Sequence, residues 1–156
     1  SKAERDQHGR NEAWFPDTPP DAVAYPETTE EVSRIVATCA RHGCPVTAWG
    51  TGTSLEGHAL AVRGGISLDL MRMNRVLAVR AEDMQAVVQP GLTREALNTD
   101  LRATGLMFSV DPGANASLGG MAATDAFRQR QDTNRRALGV VTGQPGRIGP
   151  LGARRP

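Results

Sequence analysis

Ten consecutive residues, Trp49, Gly50, Thr51, Gly52, Thr53, Ser54, Leu55, Glu56, Gly57 and His58, hold three glycines and three hydroxyl side chains. Glycine lets a backbone N–H turn toward a ligand at positive φ, and hydroxyls add further donors. The chemistry of such a stretch is anion binding, and the pyrophosphate of a dinucleotide fits it. Taken alone, the same composition also suits a glycine-rich hairpin turn. A second run of small residues lies further on: Asp111, Pro112, Gly113, Ala114, Asn115, Ala116, Ser117, Leu118, Gly119, Gly120, Met121, Ala122, Ala123 and Thr124. Here too a backbone can come close to a flat ligand, although Asp-Pro-Gly is also ordinary turn chemistry.

Two familiar nucleotide loops are excluded by residue type. A Walker A loop ends in Gly-Lys-Ser/Thr, and the sole lysine of the chain is Lys2. A Rossmann fingerprint needs a third glycine at position 55, which is Leu, and a helix immediately after it; residues 59–65 are too short for one. The first loop therefore stands between strands.

The elements that must position these runs are legible from local pattern. Thr28 with Glu31 makes a capping box, Val32, Ile35, Val36 and Cys39 recur at helical spacing, and Gly43 is placed to stop the helix, predicting a helix over 29–42. Residues 45–49 form a short apolar strand that delivers the loop. Strands follow at 65–70, 75–80 and 84–89, with connections short enough to predict antiparallel neighbours. Pro90-Gly91 ends the last of them. Thr93 caps a second helix that turns Ala96, Leu97 and Leu101 inward and ends near Gly105. Residues 1–20 are polar and proline-rich and read as an extended arm. Residues 21–124 then form the folded domain, and 125–156 a divergent Arg-, Gly- and Pro-rich tail expected to be disordered, with 137–142 as its one strand candidate.

Composition sets the outer bounds. The chain has 156 residues, 39% of them hydrophobic, and 18 Lys+Arg against 17 Asp+Glu, so net charge offers no reason to expect nucleic acid or an anionic membrane as partner. The arginines of the tail have no aromatic residue after Phe127 to stack bases with. No apolar run approaches a membrane span. Cys39 and Cys44 lack the further ligands of a metal set, and Cys39 falls on the apolar helix face as a buried free thiol. His8 and His42 read as solvated surface residues. Glu56, beside an expected diphosphate, reads as a brace for the loop through backbone N–H groups.

In sequence order, Pro26-x-Thr28-x-Glu30-Glu31-Val32, then Pro45-Val46, the loop from Gly50 to His58, Gln89-Pro90-Gly91, and the run from Asp111 to Gly120 together resemble the FAD-linked oxidases whose FAD-binding domain is of the p-cresol methylhydroxylase and vanillyl-alcohol oxidase type. Within that family the chain is most like cytochrome-linked D-lactate dehydrogenases and the glycolate oxidase flavin subunit. The resemblance covers roughly residues 5–124. It implies an α+β fold, the N-terminal part of a two-subdomain FAD-binding domain, truncated before a substrate domain.

Carried over residue by residue, the resemblance puts Trp49, Gly50, Thr51, Gly52, Thr53, Ser54 and Gly57 on the diphosphate and ribose, and Pro90 and Gly91 near the adenine. It puts Pro112, Gly113, Ser117, Gly119, Gly120, Ala123 and Thr124 along the flavin. It implies noncovalent FAD, with His58 not its attachment point, no metal, and no catalytic residue in this chain. The implied activity is that of the FAD-binding portion of a D-2-hydroxy-acid dehydrogenase, taking D-lactate to pyruvate with electrons passed to a cytochrome or another acceptor. The alternative is an FAD-binding remnant with no reaction of its own. The implied location is bacterial cytoplasm, peripherally at a membrane, or the mitochondrion in a eukaryote. Family members continue after Thr124 with more small residues, whereas this chain turns Arg-rich at Asp125, with Thr133-Asn134 a possible echo of the pattern; a truncated or frame-shifted product is the expectation.

Overall fold

The computed structural model describes residues 1–124 and the backbone of 139–142. Two compact units divide the chain, Ser1–Met73 and a second that begins at Asn74.

The first unit contains α1 (Lys2–His8), β1 (Ala22–Ala24), α2 (Thr29–Arg41), β2 (Val46–Trp49) and β3 (Ile66–Asp69). Thr28 caps α2 as expected: its hydroxyl accepts from the Glu31 N–H, while the Glu31 carboxylate accepts from the N–H of Glu27, one residue earlier than the usual capping-box partner. On the inward face Cys39 is buried and is a free thiol, Val32 and Ile35 are half-buried, and Val36 is exposed. The sheet runs β1-β3-β2, and both outer strands pair parallel with β3, Ala22 facing Ile66 on one side and Val46 facing Ile66 on the other. This corrects the antiparallel expectation for β3. The connection from β2 to β3, residues 50–65, is long enough to carry the chain back to the start of a parallel neighbour, and the glycine loop lies in it.

An extended arm was expected at the N-terminus, yet α1 is a helix with a complete capping box. The Ser1 hydroxyl accepts from the Glu4 N–H, and the Glu4 carboxylate returns to the terminal amino group.

The second unit contains β4 (Val76–Arg80), β5 (Gln85–Val88), α3 (Arg94–Leu101) with a 3-10 turn over Arg102–Thr104, α4 (Leu118–Ala123) and β5's second neighbour β6 (Gly139–Thr142). β4 and β5 pair antiparallel, as their short connection predicts, and β5 and β6 pair parallel. The strand candidate at 137–142 is thus β6; the rest of the expected tail lies outside the described residues.

The hydrophobic core of this unit is built by period. β5 buries Ala86 and Val88 in alternation, α3 buries Leu97 and Leu101 four apart, and α4 buries Leu118 and Met121 three apart; Leu92, Leu106 and Phe108 close the cluster. A fully buried Leu or Met contributes about 1.5–3 kcal/mol. Asn98 fastens the returning segment to α3 by donating to the Phe108 carbonyl at 3.1 Å and accepting the Phe108 N–H at 2.7 Å.

Candidate functional site

The first glycine loop begins where β2 ends. Trp49 is buried, and its carbonyl accepts the N–H of Leu70, so the last strand residue is held on both sides of the chain crossover. Gly52 then folds back onto the indole. With φ of +73° and a virtual Cβ 2.5 Å from Trp49 Cζ2, the position tolerates only glycine. Gly57 packs in the same way on Phe15, where a Cβ would lie 3.3 Å from the ring.

The hydroxyls of the loop are organised among themselves. Thr51 Oγ1 and Thr53 Oγ1 are 3.1 Å apart, and Ser54 Oγ lies 2.9 Å from His58 Nδ1. The Glu56 N–H donates to Ser54 Oγ. Ser54 therefore braces this point, and the exposed Glu56 carboxylate has no hydrogen bond among the described residues, contrary to the bracing role expected of it. Along residues 51–55 no backbone N–H donates to a protein acceptor among the described residues. Thr51 to Ser54 are half-buried and Leu55 is exposed, so these donors are left to water or a ligand, and a row of such donors is the chemistry of an anion nest. The donor set therefore suits a diphosphate.

Behind the loop lies a residue that sequence reasoning misplaced. His8, expected on the surface, is 2% exposed. Its Nδ1–H donates to the Glu4 carbonyl at 2.8 Å, and its Nε2 lies 2.9 Å from Asp69 Oδ2 on β3. The other Asp69 oxygen accepts the Met71 N–H. The imidazole packs at 4.7 Å, centroid to centroid, on the Trp49 indole, and the edge of Tyr25 stands 5.9 Å away. Burial, and then the nearby charges of Glu4 and Asp69, push the Tyr25 hydroxyl above its usual range, with Arg72 opposing them from over the ring. The signal that could have predicted the helix is the Ser1-x-x-Glu4 capping box at its start, with Gly9 to stop it after His8.

In the second unit the small-residue run divides into two kinds of position. Pro112 and Gly113 are exposed, and Gly113, at φ +87°, has nothing within 4 Å of a virtual Cβ. From Leu118 onward the backbone donors are taken by the protein. Leu118 N–H donates to Leu92 O and Gly119 N–H to Pro90 O, both at 2.8 Å, and Gly120 N–H donates to Ser117 Oγ, the cap of α4. A Cβ on Gly119 would stand 2.6 Å from Pro90 Cβ and 2.8 Å from Pro90 O. The structure thus brings Pro90 and Gly119 together and supplies a packing reason for that glycine. Gly91 is buried beside them, while Ala123 and Thr124 are exposed at the end of α4, the Thr124 hydroxyl donating to Gly120 O. Among the described residues no group of His, Cys, Asp and Glu is arranged to hold a metal.

The sequence of residues 20–144 matches the family model described as the FAD binding domain. The chain belongs to that family. The match runs past Asp125, where the small-residue pattern changes character. This FAD-binding domain is 48% identical over 124 residues to a Danio rerio protein named "Probable D-lactate dehydrogenase, mitochondrial", covering 80% of this chain and 25% of that one. It is 46% identical over 105 residues to the Arabidopsis thaliana mitochondrial D-lactate dehydrogenase [cytochrome], covering 67% and 18%. The glycolate oxidase subunit GlcD of Bacillus subtilis is 36% identical over 95 residues, covering 61% and 20%. The chain therefore spans a quarter or less of the length of these curated relatives. A solved structure of alkyldihydroxyacetonephosphate synthase superposes with a TM-score of 0.72 at 27% identity, covering 79% of this chain and 25% of that one. Among the described residues no helix is long and apolar enough to cross a membrane.

Proposed function

We propose that this FAD-binding domain is the cofactor-holding portion of a flavin-dependent D-2-hydroxy-acid dehydrogenase, with D-lactate as the substrate class. The D-2-hydroxy-acid part of the reading rests on the 46–48% identity to proteins named D-lactate dehydrogenase, and the observation that carries the cofactor part is the row of unpaired backbone N–H groups over residues 51–55, beside the Thr51, Thr53 and Ser54 hydroxyls. Backbone donors of this kind stabilise a diphosphate by hydrogen bonding without any lysine, which accords with a chain whose single lysine is at position 2.

In this reading Trp49, Gly50, Thr51, Gly52, Thr53, Ser54 and Gly57 hold the diphosphate and ribose, and Pro90 and Gly91 border the adenine. Pro112, Gly113, Ser117, Gly119, Gly120, Ala123 and Thr124 form the flavin side, with Gly113 the open approach and Gly119 acting through its packing on Pro90. The fold is the N-terminal part of a two-subdomain domain of the p-cresol methylhydroxylase type, and FAD is held noncovalently. Bound FAD supplies the hydride acceptor for a 2-hydroxy acid and passes the electrons on. This chain's own residues bind and orient it; the groups that hold the substrate carboxylate and take the hydroxyl proton belong to the remainder of a longer enzyme. The coverage of a quarter or less of the relatives favours a second reading, an FAD-binding fragment with no reaction of its own.

Titration of the purified chain with FAD, followed by quenching of flavin fluorescence, tests the binding, and dye reduction with D-lactate separates the two readings. Saturable binding with dye reduction supports the dehydrogenase; saturable binding without it supports the fragment. Absence of any saturable change overturns both.

A further inference from the structure

We infer that His8 is a positioning residue for the diphosphate loop, acting through Trp49, so that helix α1 sets the seat on which the loop binds. The inference rests on the FAD reading above for its ligand, but its geometry lies wholly within the first unit. A helix of seven residues has little stability by itself, so α1 is held by what it packs on. What it packs on begins with His8. Glu4 carbonyl and Asp69 carboxylate are both acceptors, at 2.8 and 2.9 Å from the two ring nitrogens, and together they fix the plane of the imidazole. Asp69 is in turn fixed by the Met71 N–H at 2.8 Å.

The ring so held lies 4.7 Å from the Trp49 indole at an interplanar angle of 48°. The indole in turn bounds Gly52, whose missing Cβ would stand 2.5 Å from Cζ2 and 3.0 Å from Cη2. With no room for even a Cβ between them, the Gly52 backbone lies against the indole, so a shift of the indole toward Gly52 moves the loop. Loosening His8 lets the indole shift, and the loop that carries the unpaired N–H groups of 51–55 shifts with it, which costs an anion site its geometry. No contact between His8 and the ligand is required.

The test uses the full chain with Trp14→Phe, which removes the other tryptophan, an exposed one, and leaves Trp49 as the sole indole reporter. His8→Gln keeps a donor toward Asp69 and loses the ring; Asp69→Asn keeps an acceptor for Met71 and loses the carboxylate, and stands in should His8→Gln fail to fold. In each the FAD dissociation constant is expected to rise tenfold or more at temperatures well below unfolding, with a red-shifted Trp49 emission and faster cleavage within residues 50–63 in the unliganded chain. His8→Gln combined with Trp49→Phe is expected to cost little more than Trp49→Phe alone, because the two act in series. A lowered melting temperature with unchanged FAD affinity, emission and cleavage overturns the inference and leaves His8 a packing residue. Additive losses overturn the path through Trp49. If the parent binds no FAD, the functional reading has failed, and emission and cleavage alone decide whether His8 holds the loop.

Discussion

Alanine at Gly119 sets two opposed effects against each other. Gly119 sits in α4 with ordinary helical geometry, and in an exposed helix Gly→Ala stabilises by about 0.8–1 kcal/mol. The added Cβ would, however, meet Pro90 Cβ at 2.6 Å, Pro90 O at 2.8 Å and Pro90 Cα at 3.1 Å. None of these is the far end of a flexible side chain, and the proline ring fixes its own backbone, so the helix start must move away. Overpacking of this kind costs about 1–3 kcal/mol. The movement also loosens Gly119 N–H to Pro90 O and Leu118 N–H to Leu92 O, at about 1 kcal/mol each. The net expectation is a loss of roughly 2–3 kcal/mol, or about 10 °C in melting temperature for a domain of this size. Urea denaturation of Gly119→Ala beside Gly113→Ala measures it. The latter residue has open space around it and pays only the strain of φ +87°, about 1–2 kcal/mol. A Gly119→Ala chain as stable as the parent, or more stable, would refute the reasoning, because helix propensity would then have outweighed the close approach.

Gly52→Ala combines positive-φ strain of about 1–2 kcal/mol with the collision on Trp49, and is expected to raise the FAD dissociation constant at least tenfold; parent-like affinity in a flavin titration counts against the loop as the diphosphate site. Ser117→Ala removes the acceptor that caps α4 and is expected to cost about 1 kcal/mol in chemical denaturation, as is Thr93→Ala at the start of α3, while no change in either would show that the caps are idle. Burial, with Cys44 adding to it, pushes the Cys39 thiol up, so the folded chain keeps a proton that the unfolded chain releases once pH passes the ordinary thiol value of about 8.5. Stability is therefore expected to fall as pH rises past that ordinary thiol value, and Cys39→Ala is expected to flatten the slope; identical slopes would remove the thiol from the account.

What could be read from the sequence follows the distance over which each feature is decided. The Thr28 and Thr93 caps, the periodic Leu97 and Leu101, and the β4–β5 pairing depend on residues within about one turn or one hairpin of each other, and each appears in the fold. The parallel order β1-β3-β2 does not, because it is decided by where a crossover of sixteen positions, residues 50–65, returns the chain, and local alternation is blind to that. The same distinction divides the candidate site. Residue type made Gly52 and Gly119 look alike, two small residues suited to a close ligand. Gly52 is paired with a neighbour three positions away, and the N–H groups around it stay open. Gly119 meets a proline twenty-nine positions back that takes its N–H, so the feature that suggested a ligand is satisfied by the chain itself. His8 is the converse case, a polar residue whose local bond to the Glu4 carbonyl says nothing of its burial, which is decided by Asp69, 61 positions away. Composition therefore shows where a cofactor could be approached. Whether a given donor is still free to approach it depends on partners distant in sequence, and that is why the N–H row at 51–55 carries more weight for FAD than the longer glycine run after Asp111.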